Sequence, residues 1–233
     1  GRGVKALFRR HDLVTLTASA RRAMAVEVVG DAKAWSEEEI RELAVDGFDG
    51  VLVPGIVRRQ EQGAEGLCVG FSSPFRKDGM RLRLSSCVPR SAVTLVRDPY
   101  QVAGLARTAM LRPLPVFDAL SRALRFARGQ GLACGVFGSA ALELATGLPY
   151  CDGTSDLDLL VRCEGSDEAQ RLHEGLLDVE ERTGVRIDAE IELEGGWAAK
   201  LGEFCSDSGS VLVKGFNDVR LLPREEAVVM NHR

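Results

Sequence analysis

Two short stretches decide the fold of this chain: GVFGS at residues 135–139 and SDLDLL at residues 155–160. In the first, an apolar run enters a Gly-Ser turn, and in the second an apolar run carries two carboxylates at alternate positions. Because side chains alternate between the faces of a strand, Asp156 and Asp158 lie on one face and the intervening leucines on the other. Two adjacent carboxylates repel each other unless a cation lies between them, and a divalent metal ion is the natural candidate.

The segments around these stretches alternate between helix and strand periodicities. Apolar residues recur at helical spacing before the first stretch, one predicted helix ends at a glycine, and glycines follow two others. The pattern predicts helices at 116–129, 140–146, 167–183 and near 197–205, and strands at 132–137, 156–162, 185–192 and 211–214. Strands that alternate with helices in this order predict a C-terminal α/β unit.

The strand predicted at 185–192 carries a second row of acids. Its apolar residues face one way, and the opposite face carries Arg186, Asp188, Glu190 and Glu192. One acid of this row, placed beside Asp156 and Asp158, would complete a carboxylate cluster for Mg²⁺, with two ions expected. Asp188 is the first choice for this third acid, as ligand or general base, and Glu190 on the same face is its rival.

Gly138 and Ser139 are the predicted contacts for donor phosphates. Glycine permits close approach of the backbone, and the first N–H groups of the following helix can cradle phosphate oxygens beside the Ser139 hydroxyl. Each signal is weak alone, because a solvated strand face also explains the pair of aspartates. Together and in this order, with a helix between them and an acid-bearing strand after them, they indicate nucleotidyl-type chemistry.

The N-terminal part has a different character. Ser36 and Glu39 form a capping box that starts a helix over residues 36–46, and Gly47 ends this helix. Residues 48–98 contain short β-type runs separated by Gly and Pro, which predict a small, mostly β unit with some helix.

We therefore expect an α+β protein with a basic N-terminal domain at residues 1–110 and a catalytic domain at residues 111–233. Residues 1–130 carry 21 basic and 14 acidic side chains, whereas residues 131–233 carry 9 and 20. One interpretation is that the basic half binds an anionic ligand and the acidic, metal-binding half catalyses its reaction. The other is that the two halves have solvated surfaces of opposite charge. The candidate contacts for such a ligand are Arg58, Arg59, Arg81 and Arg83, with Lys214 and Lys200 as weaker candidates.

Composition excludes several classes of protein. The chain has no apolar run of about 18 residues, as a membrane span requires, and its basic start leads into no signal-peptide core. The six cysteines form no CxxC pair, so we expect reduced, scattered thiols in a cytoplasmic protein. The basic residues lack interleaved aromatics and the acidic half repels polyanions, which argues against a nucleic-acid partner. We interpret the pair His11-Asp12 as a turn or a structural contact rather than a metal-binding pair.

The order of strand, Gly-Ser turn, helix and Asp-x-Asp strand resembles the nucleotidyltransferase superfamily that includes DNA polymerase beta and the aminoglycoside nucleotidyltransferases. The loop at 147–155 is longer than is usual there. Longer stretches resemble the malonate decarboxylase holo-acyl-carrier-protein synthase family, also called phosphoribosyl-dephospho-CoA transferase. These are RHDLV at 10–14, VFDAL at 116–120 and GVFGSAALELATGLPY at 135–150, together with SDLDLL. The resemblance runs over most of the chain and is loose over residues 20–50.

The resemblance implies a polymerase-beta-like catalytic domain and a particular reaction. The donor would be 2′-(5″-triphosphoribosyl)-3′-dephospho-CoA, and the acceptor a serine on the acyl-carrier subunit of malonate decarboxylase, with pyrophosphate leaving. Asp156 and Asp158 carry over as metal ligands, and Gly138 and Ser139 as triphosphate contacts. The arginines at 58, 59, 81 and 83 would hold donor phosphates or meet an acidic carrier.

Two other functions stay open at this point. One is an enzyme of the same superfamily that transfers AMP from ATP to a small molecule or a protein, and only the family resemblance argues against it. The other is a non-catalytic assembly factor that binds the carrier protein. The intact pair Asp156 and Asp158 argues against this second alternative, because a binding protein has no use for a metal cluster.

Overall fold

The computed structural model describes residues 7–28 and 34–231. The N-terminal sheet consists of β1 (Leu13–Leu16), β2 (Gly55–Val57), β3 (Leu67–Lys77), β4 (Met80–Val88) and β5 (Val93–Arg97). Its spatial order is β4-β3-β2-β1-β5, and all neighbours are antiparallel. In β4, Leu82 and Leu84 are buried while Arg83 between them is exposed, which is the alternation of a sheet with one wet face.

Two helices cover this sheet, α1 (Ala18–Val28) and α2 (Glu37–Arg41), and α2 continues as a π-helical turn to Asp46. The capping box predicted at Ser36 is present. The Glu39 amide donates to the Ser36 hydroxyl at 3.1 Å, and the Ser36 amide donates to the Glu39 carboxylate at 2.7 Å. Gly47 ends the turn with φ +76°, so the predicted helix over 36–46 is confirmed.

The C-terminal sheet consists of β6 (Ala133–Phe137), β7 (Leu157–Arg162), β8 (Ile187–Glu192), β9 (Ala198–Lys200), β10 (Ser210–Lys214) and β11 (Val219–Pro223). These six strands lie in the order β11-β10-β9-β8-β7-β6. Only β7 and β8 are parallel among the pairs that the structure describes, because α6 crosses over between them. The sheet is therefore mixed.

The helices after β5 are α3 (Pro99–Gly104), α4 (Pro115–Gly129), α5 (Gly138–Thr146), α6 (Gly165–Thr183), α7 (Leu201–Phe204) and α8 (Arg224–Val229). Helices α4 and α6 contact each other closely at Gly175, where an added Cβ would lie 2.1 Å from the Phe126 ring. Leu157, Leu159 and Val161 are fully buried in the core, so the opposite face of β7, which bears Asp158, faces away from it.

The two sheets are joined through α3. This helix packs against β6, where an added Cβ on Gly135 would lie 2.7 Å from the Pro99 backbone. The α+β fold class, with a mostly β N-terminal unit and a mixed C-terminal sheet, is confirmed. The domain division after residue 110 stays a prediction, and α3 lies on the C-terminal side of the molecule.

Most elements predicted for the C-terminal half are present within a few residues of their predicted bounds. The segment near 197–205 differs, because it begins as strand β9 and only its end, α7, is helical. The pattern AAK is too short to show strand periodicity, and its pairing with β8 and β10 decides its conformation. The strand β11 and the helix α8 were not predicted from the sequence.

The cysteines depart from the expectation of six reduced thiols. Cys68 and Cys87 are opposite each other on β3 and β4 and form a disulfide, since this antiparallel register brings their side chains together. The other four cysteines are free. None of the helices in the described part of the chain has the length and apolar character to cross a membrane.

Candidate active site

The predicted Gly-Ser turn and the predicted Asp strand meet at one end of the C-terminal sheet. Strand β6 pairs with β7 so that Phe137 lies opposite Asp158. The next residue, Gly138, has φ +70°, and an added Cβ there would lie 2.1 Å from Asp158 Oδ2. Glycine is therefore required twice, by the left-handed backbone and by the carboxylate packed against it.

Three aspartates converge on this end of the sheet. The parallel register of β7 and β8 places Asp158 directly opposite Asp188, and the exposed Asp156 precedes β7. Burial, together with the negative charges of Asp188 and Asp156, raises the pKa of Asp158 to about 6. The positive charge of Arg186 acts in the opposite direction but is outweighed, so Asp158 is a carboxylate that a further cation would stabilise.

Asp188 and Glu190, the two candidates for the third acid, have different surroundings. The Asp188 side chain is 41% exposed and is ion-paired with the Lys200 ammonium at 3.5 Å. The Glu190 side chain is 13% exposed, and its oxygens lie 3.3 Å from His11 Nε2 and 3.7 Å from the Arg10 guanidinium. Burial opposes ionisation of Glu190, but the His11 hydrogen bond and the Arg10 charge hold its pKa below the usual value.

The N-terminus of α5 is open for an anion. Ser139 lies in its first turn and is half-buried, and no side chain caps the helix. The first backbone N–H groups of a helix have no intrahelical acceptor, and the helix dipole favours negative charge near them. A phosphate chain at this position would lie beside Asp158, because Gly138 is in contact with that carboxylate.

The enlarged loop at 147–155 is held firmly. The buried Glu143 carboxylate accepts two hydrogen bonds from Arg112, at 2.6 and 2.9 Å, and one from the Cys151 amide at 2.8 Å. The hydroxyl of the buried Tyr150 donates a hydrogen bond to the Ser72 backbone carbonyl on the N-terminal sheet at 2.7 Å. These contacts fix the chain a few residues before Asp156.

A basic cleft of about 750 Å³ lies between the two domains. It brings together three predicted contacts, Arg58 and Arg59 from the N-terminal domain and Lys214 from β10, and Arg10 and His11 also line it. Arg58 is ion-paired with Glu61 at 3.1 Å, and both groups are exposed enough to exchange partners.

Arg81 and Arg83 are not among the residues that line this cleft. The Arg81 guanidinium donates to the backbone carbonyls of Ser73, Pro74 and Tyr150 at 2.5 to 3.0 Å, so it joins the β3–β4 hairpin to the loop before Asp156. Arg83 is exposed on the outer face of β4. The structure therefore does not place the four predicted arginines in one site.

The sequence did not indicate the contacts that tie the N-terminal domain to β8. Arg9 is ion-paired with Glu192, which also accepts hydrogen bonds from Arg162 and from the Tyr100 hydroxyl, each at 2.8 Å. His11 stacks on Phe137 and contacts Glu190, which agrees with our interpretation of it as a structural contact. Single residues from distant segments give no periodic signal, so these contacts could not be found from the sequence.

The residues at this end of the sheet suit a hard divalent cation. All candidate ligands are carboxylates, as Mg²⁺ prefers, and the Lys200 ammonium lies near Asp188 where a positive charge is favoured. Within residues 7–28 and 34–231, no three acidic, histidine or cysteine side chains are gathered closely enough to hold an ion by themselves. Magnesium commonly keeps several waters and uses substrate phosphates as ligands, so an incomplete protein cage agrees with a site completed by the donor.

The mixed sheet thus brings together a Gly-Ser turn before a helix, an Asp-x-Asp strand and an aspartate on the parallel neighbour, an arrangement suited to a group-transferring enzyme. Two sequence profiles give a narrower assignment. The profile "Phosphoribosyl-dephospho-CoA transferase MdcG C-terminal domain" matches residues 102–225, and the corresponding N-terminal profile matches residues 9–99. The chain belongs to the phosphoribosyl-dephospho-CoA transferase family.

Individual relatives agree with this assignment. Phosphoribosyl-dephospho-CoA transferase of Xanthomonas euvesicatoria is 33% identical over 176 residues, which are 76% of this chain and 76% of that protein. Those of Azotobacter vinelandii and Pseudomonas aeruginosa are each 33% identical, over 72% and 70% of this chain and 78% and 74% of their own lengths. No solved structure matches the chain significantly.

Proposed function

We propose that the chain transfers the phosphoribosyl-dephospho-CoA group from 2′-(5″-triphosphoribosyl)-3′-dephospho-CoA to a serine of the acyl-carrier subunit of malonate decarboxylase. The serine oxygen attacks the α-phosphorus, the bond from that phosphorus to the bridging oxygen breaks, and pyrophosphate leaves. The product is a phosphodiester, and the serine proton passes to a base. One observation carries the proposal in a chain of this family: Asp158 packs against Gly138, at the start of α5, and lies opposite Asp188 on the neighbouring strand.

The residues around the sheet end can each take a part of the donor. The N–H groups at the start of α5 and the Ser139 hydroxyl bind the triphosphate, beside Asp158. Arg58, Arg59 and Lys214 line the basic cleft, and their positive charges bind further phosphate oxygens of the donor. The basic cleft lies between the domains, so both domains contribute to binding one donor.

We assign Asp156, Asp158 and Asp188 to two Mg²⁺ ions. When bound, these ions neutralise charge on the phosphates and activate the attacking hydroxyl. Asp188 is favoured over Glu190 as the third acid because it lies directly opposite Asp158, whereas Glu190 is engaged by His11 and Arg10. The exposed carboxylate of Asp188 is also the one that the serine of a carrier protein can reach.

The proposal also covers the direction from which the carrier protein approaches and the compartment in which the reaction takes place. The carrier approaches over the open sheet end, where Asp156 and Asp188 are accessible. We place the reaction in the cytoplasm, because Cys134, Cys151, Cys163 and Cys205 are free thiols of the kind that reducing compartments preserve, despite the disulfide between Cys68 and Cys87.

The test is mass spectrometry of the purified apo carrier protein incubated with this enzyme, Mg²⁺ and the triphosphoribosyl donor. The expected result is a gain of the phosphoribosyl-dephospho-CoA mass on one serine, with release of pyrophosphate. Two controls share the same mixture: enzyme with Asp158→Asn, and carrier protein with its acceptor serine replaced by alanine. Neither should show a mass gain.

Three results would contradict the proposal. A mass gain that requires ATP instead of the triphosphoribosyl donor identifies an adenylylating enzyme. Tight binding of the carrier without any mass gain identifies an assembly factor. Undiminished transfer by the Asp158→Asn enzyme removes this carboxylate from the site.

A further inference from the structure

His11 comes from the N-terminal domain but its side chain lies against the C-terminal sheet. It occupies a tight turn in which the Asp12 amide donates to the Arg9 carbonyl at 3.2 Å, and the Arg9 amide donates to the Asp12 carboxylate at 2.9 Å. The His11 amide is held by the Val57 carbonyl at 2.9 Å. The turn is therefore anchored on both sides before the His11 side chain makes any contact.

The backbone of His11 is in the left-handed region, with φ +73°. Residues other than glycine are uncommon there, although asparagine, aspartate and histidine occur there more often than the others. A strained conformation persists where the surrounding structure fixes it, and it often occurs at functional sites. The conformation directs attention to what the imidazole contacts.

The imidazole contacts both strands that flank β7. Its ring stacks on Phe137 of β6, with the ring centres 3.8 Å apart and the planes inclined by 17°. Its Nε2 lies 3.3 Å from Glu190 Oε2 on β8. Phe137 is the register partner of Asp158 and precedes Gly138, and Glu190 is two residues after Asp188.

We propose that His11 is a positioning residue for the aspartate pair Asp158 and Asp188. Its ring fixes the turn between Phe137 and Gly138, against which Asp158 packs. Its hydrogen bond holds Glu190 away from the metal, so that Asp188 is the third acid. The proposal rests on the assignment of the metal to these aspartates, and it adds that the N-terminal domain takes part in building the site.

The size of the effect of removing His11 can be predicted. Groups that orient metal ligands without touching the ion typically change metal affinity or activity by about 10–100-fold when they are removed. His11→Ala removes both the ring contact and the hydrogen bond. His11→Gln keeps a donor for Glu190 and removes the stacking on Phe137, so it should recover part of the loss.

The matched control is Tyr100→Phe. The Tyr100 hydroxyl donates to Glu192 at 2.8 Å, so this variant also removes a single hydrogen bond to β8. Glu192 lies four residues beyond Asp188, where the strand no longer borders the aspartates. The control therefore distinguishes the general effect of removing a hydrogen bond to a glutamate of β8 from the effect of removing the particular contacts of His11.

The experiment is calorimetric titration of Mg²⁺ into the full-length protein without donor and with pyrophosphate, followed by steady-state kinetics. For His11→Ala we expect Mg²⁺ binding weakened by about tenfold or more, kcat lowered to a similar extent, and donor KM changed by less than about threefold. Tyr100→Phe should bind Mg²⁺ as the unchanged protein does. Circular dichroism confirms folding of each variant.

Unchanged Mg²⁺ affinity in a folded His11→Ala protein overturns the proposal, as does equal weakening by Tyr100→Phe. If His11→Ala does not fold, His11→Gln decides, and normal Mg²⁺ affinity in that variant, with normal kcat, overturns the role of the ring. Failure of the unchanged protein to modify the carrier contradicts the proposed function instead, because the Mg²⁺ titration reports on His11 without the transfer reaction.

Discussion

Strand β8 carries three carboxylates on one face. Their exposure and their numbers of polar partners differ between the two ends of the strand. At the start of the strand, Asp188 lies opposite Asp158, is 41% exposed and is ion-paired with the Lys200 ammonium. At the far end, the Glu192 side chain is 9% exposed and is engaged by Arg9, Arg162 and Tyr100. Glu190 lies between them and is bound by Arg10 and His11.

The difference separates carboxylates that hold the molecule together from carboxylates left for a ligand. Burial alone opposes ionisation at the far end, but the surrounding donors hold the pKa of Glu192 below its usual value. At the near end, burial and neighbouring negative charges raise the pKa of Asp158 to about 6. The sheet therefore has a satisfied end at Glu192 on β8 and an unsatisfied end at Asp158 on β7, and perturbed groups of the second kind are typical of active sites.

The largest effect is expected at the unsatisfied end, from Asp158→Asn. We expect carrier modification to fall by at least about 10³-fold, because a metal ligand is lost. Stability should change in the opposite direction. Asp158 has a raised pKa in the folded state, so its ionised form costs stability increasingly as pH rises from about 4 to about 6.

Removal of that charge should raise the free energy of unfolding by about 1–2 kcal/mol above about pH 7, and much less near about pH 4. Urea unfolding of both proteins at the two pH values, without Mg²⁺, measures it. Asp207→Asn, an exposed aspartate near α7, is the control and should change neither quantity. A less stable Asp158→Asn protein at neutral pH would show that this end is not electrostatically unsatisfied.

A second large effect is expected from Gly138→Ala. The added Cβ meets Asp158 Oδ2 at 2.1 Å and the backbone is left-handed, so the carboxylate must move. We expect a loss of about 2–4 kcal/mol in unfolding free energy and a loss of transfer activity of about 100-fold. Gly147→Ala is the matched control, since it has φ +74° but nothing within 4 Å of its Cβ position.

The control should cost only about 1 kcal/mol and leave transfer nearly unchanged. Equal losses in the two variants would mean that backbone strain, and not displacement of Asp158, is responsible. Thermal unfolding and the carrier modification assay supply both measurements for each variant.

The unsatisfied end could be predicted from the sequence, and the satisfied end could not. Gly138, Asp156 and Asp158 belong to one turn and one alternating strand, so their positions follow from the sequence, whereas the choice of Asp188 over Glu190 follows from the register of β7 and β8. The partners of Glu192 come from Arg9, Arg162 and Tyr100, which are distant in the chain and follow no shared pattern. They depend on how the N-terminal domain packs against the sheet.

The same reasoning explains other failures of prediction. Strand β9 has three residues, and its conformation follows from its neighbours rather than from its own sequence. Arg81 and Arg83 share a strand and a charge, but the guanidinium of Arg81 is used by three backbone carbonyls. A basic residue close to a chain turn can satisfy carbonyls as readily as phosphates, and the sequence does not distinguish the two uses.

A moderate effect on stability is expected at the satisfied end, from Glu192→Gln. The neutral amide leaves the guanidinium groups of Arg9 and Arg162 without their counter-charge, and we expect a loss of about 1–3 kcal/mol. Transfer activity should stay within about threefold, since the metal-binding end is separate. Glu225→Gln, on the exposed first turn of α8, is the control for loss of a glutamate charge.

A loss of activity by Glu192→Gln far beyond that range would contradict the separation of the two ends. Urea unfolding gives the stability change, and the rate of carrier modification at saturating donor gives the activity. The comparison with Asp158→Asn is then complete, because one variant should lose stability and keep activity while the other should do the reverse.

The smallest effect is expected from Lys200→Ala. This variant tests whether the Lys200 ammonium only places a positive charge beside Asp188 or also contacts the donor phosphates. The ammonium lies 3.5 Å from Asp188 and both side chains are about half exposed, so the pair contributes less than about 0.5 kcal/mol to stability. If Lys200 only offers a positive charge where Mg²⁺ binds, its removal should lower the Mg²⁺ concentration for half-maximal transfer by about twofold, with donor KM unchanged.

Lys214→Ala is the contrasting variant, because Lys214 lines the basic cleft and its loss should raise donor KM by about fivefold or more. A rise in donor KM in Lys200→Ala as well would assign Lys200 to the phosphates, and the unsatisfied end of the sheet would then include a cation of its own.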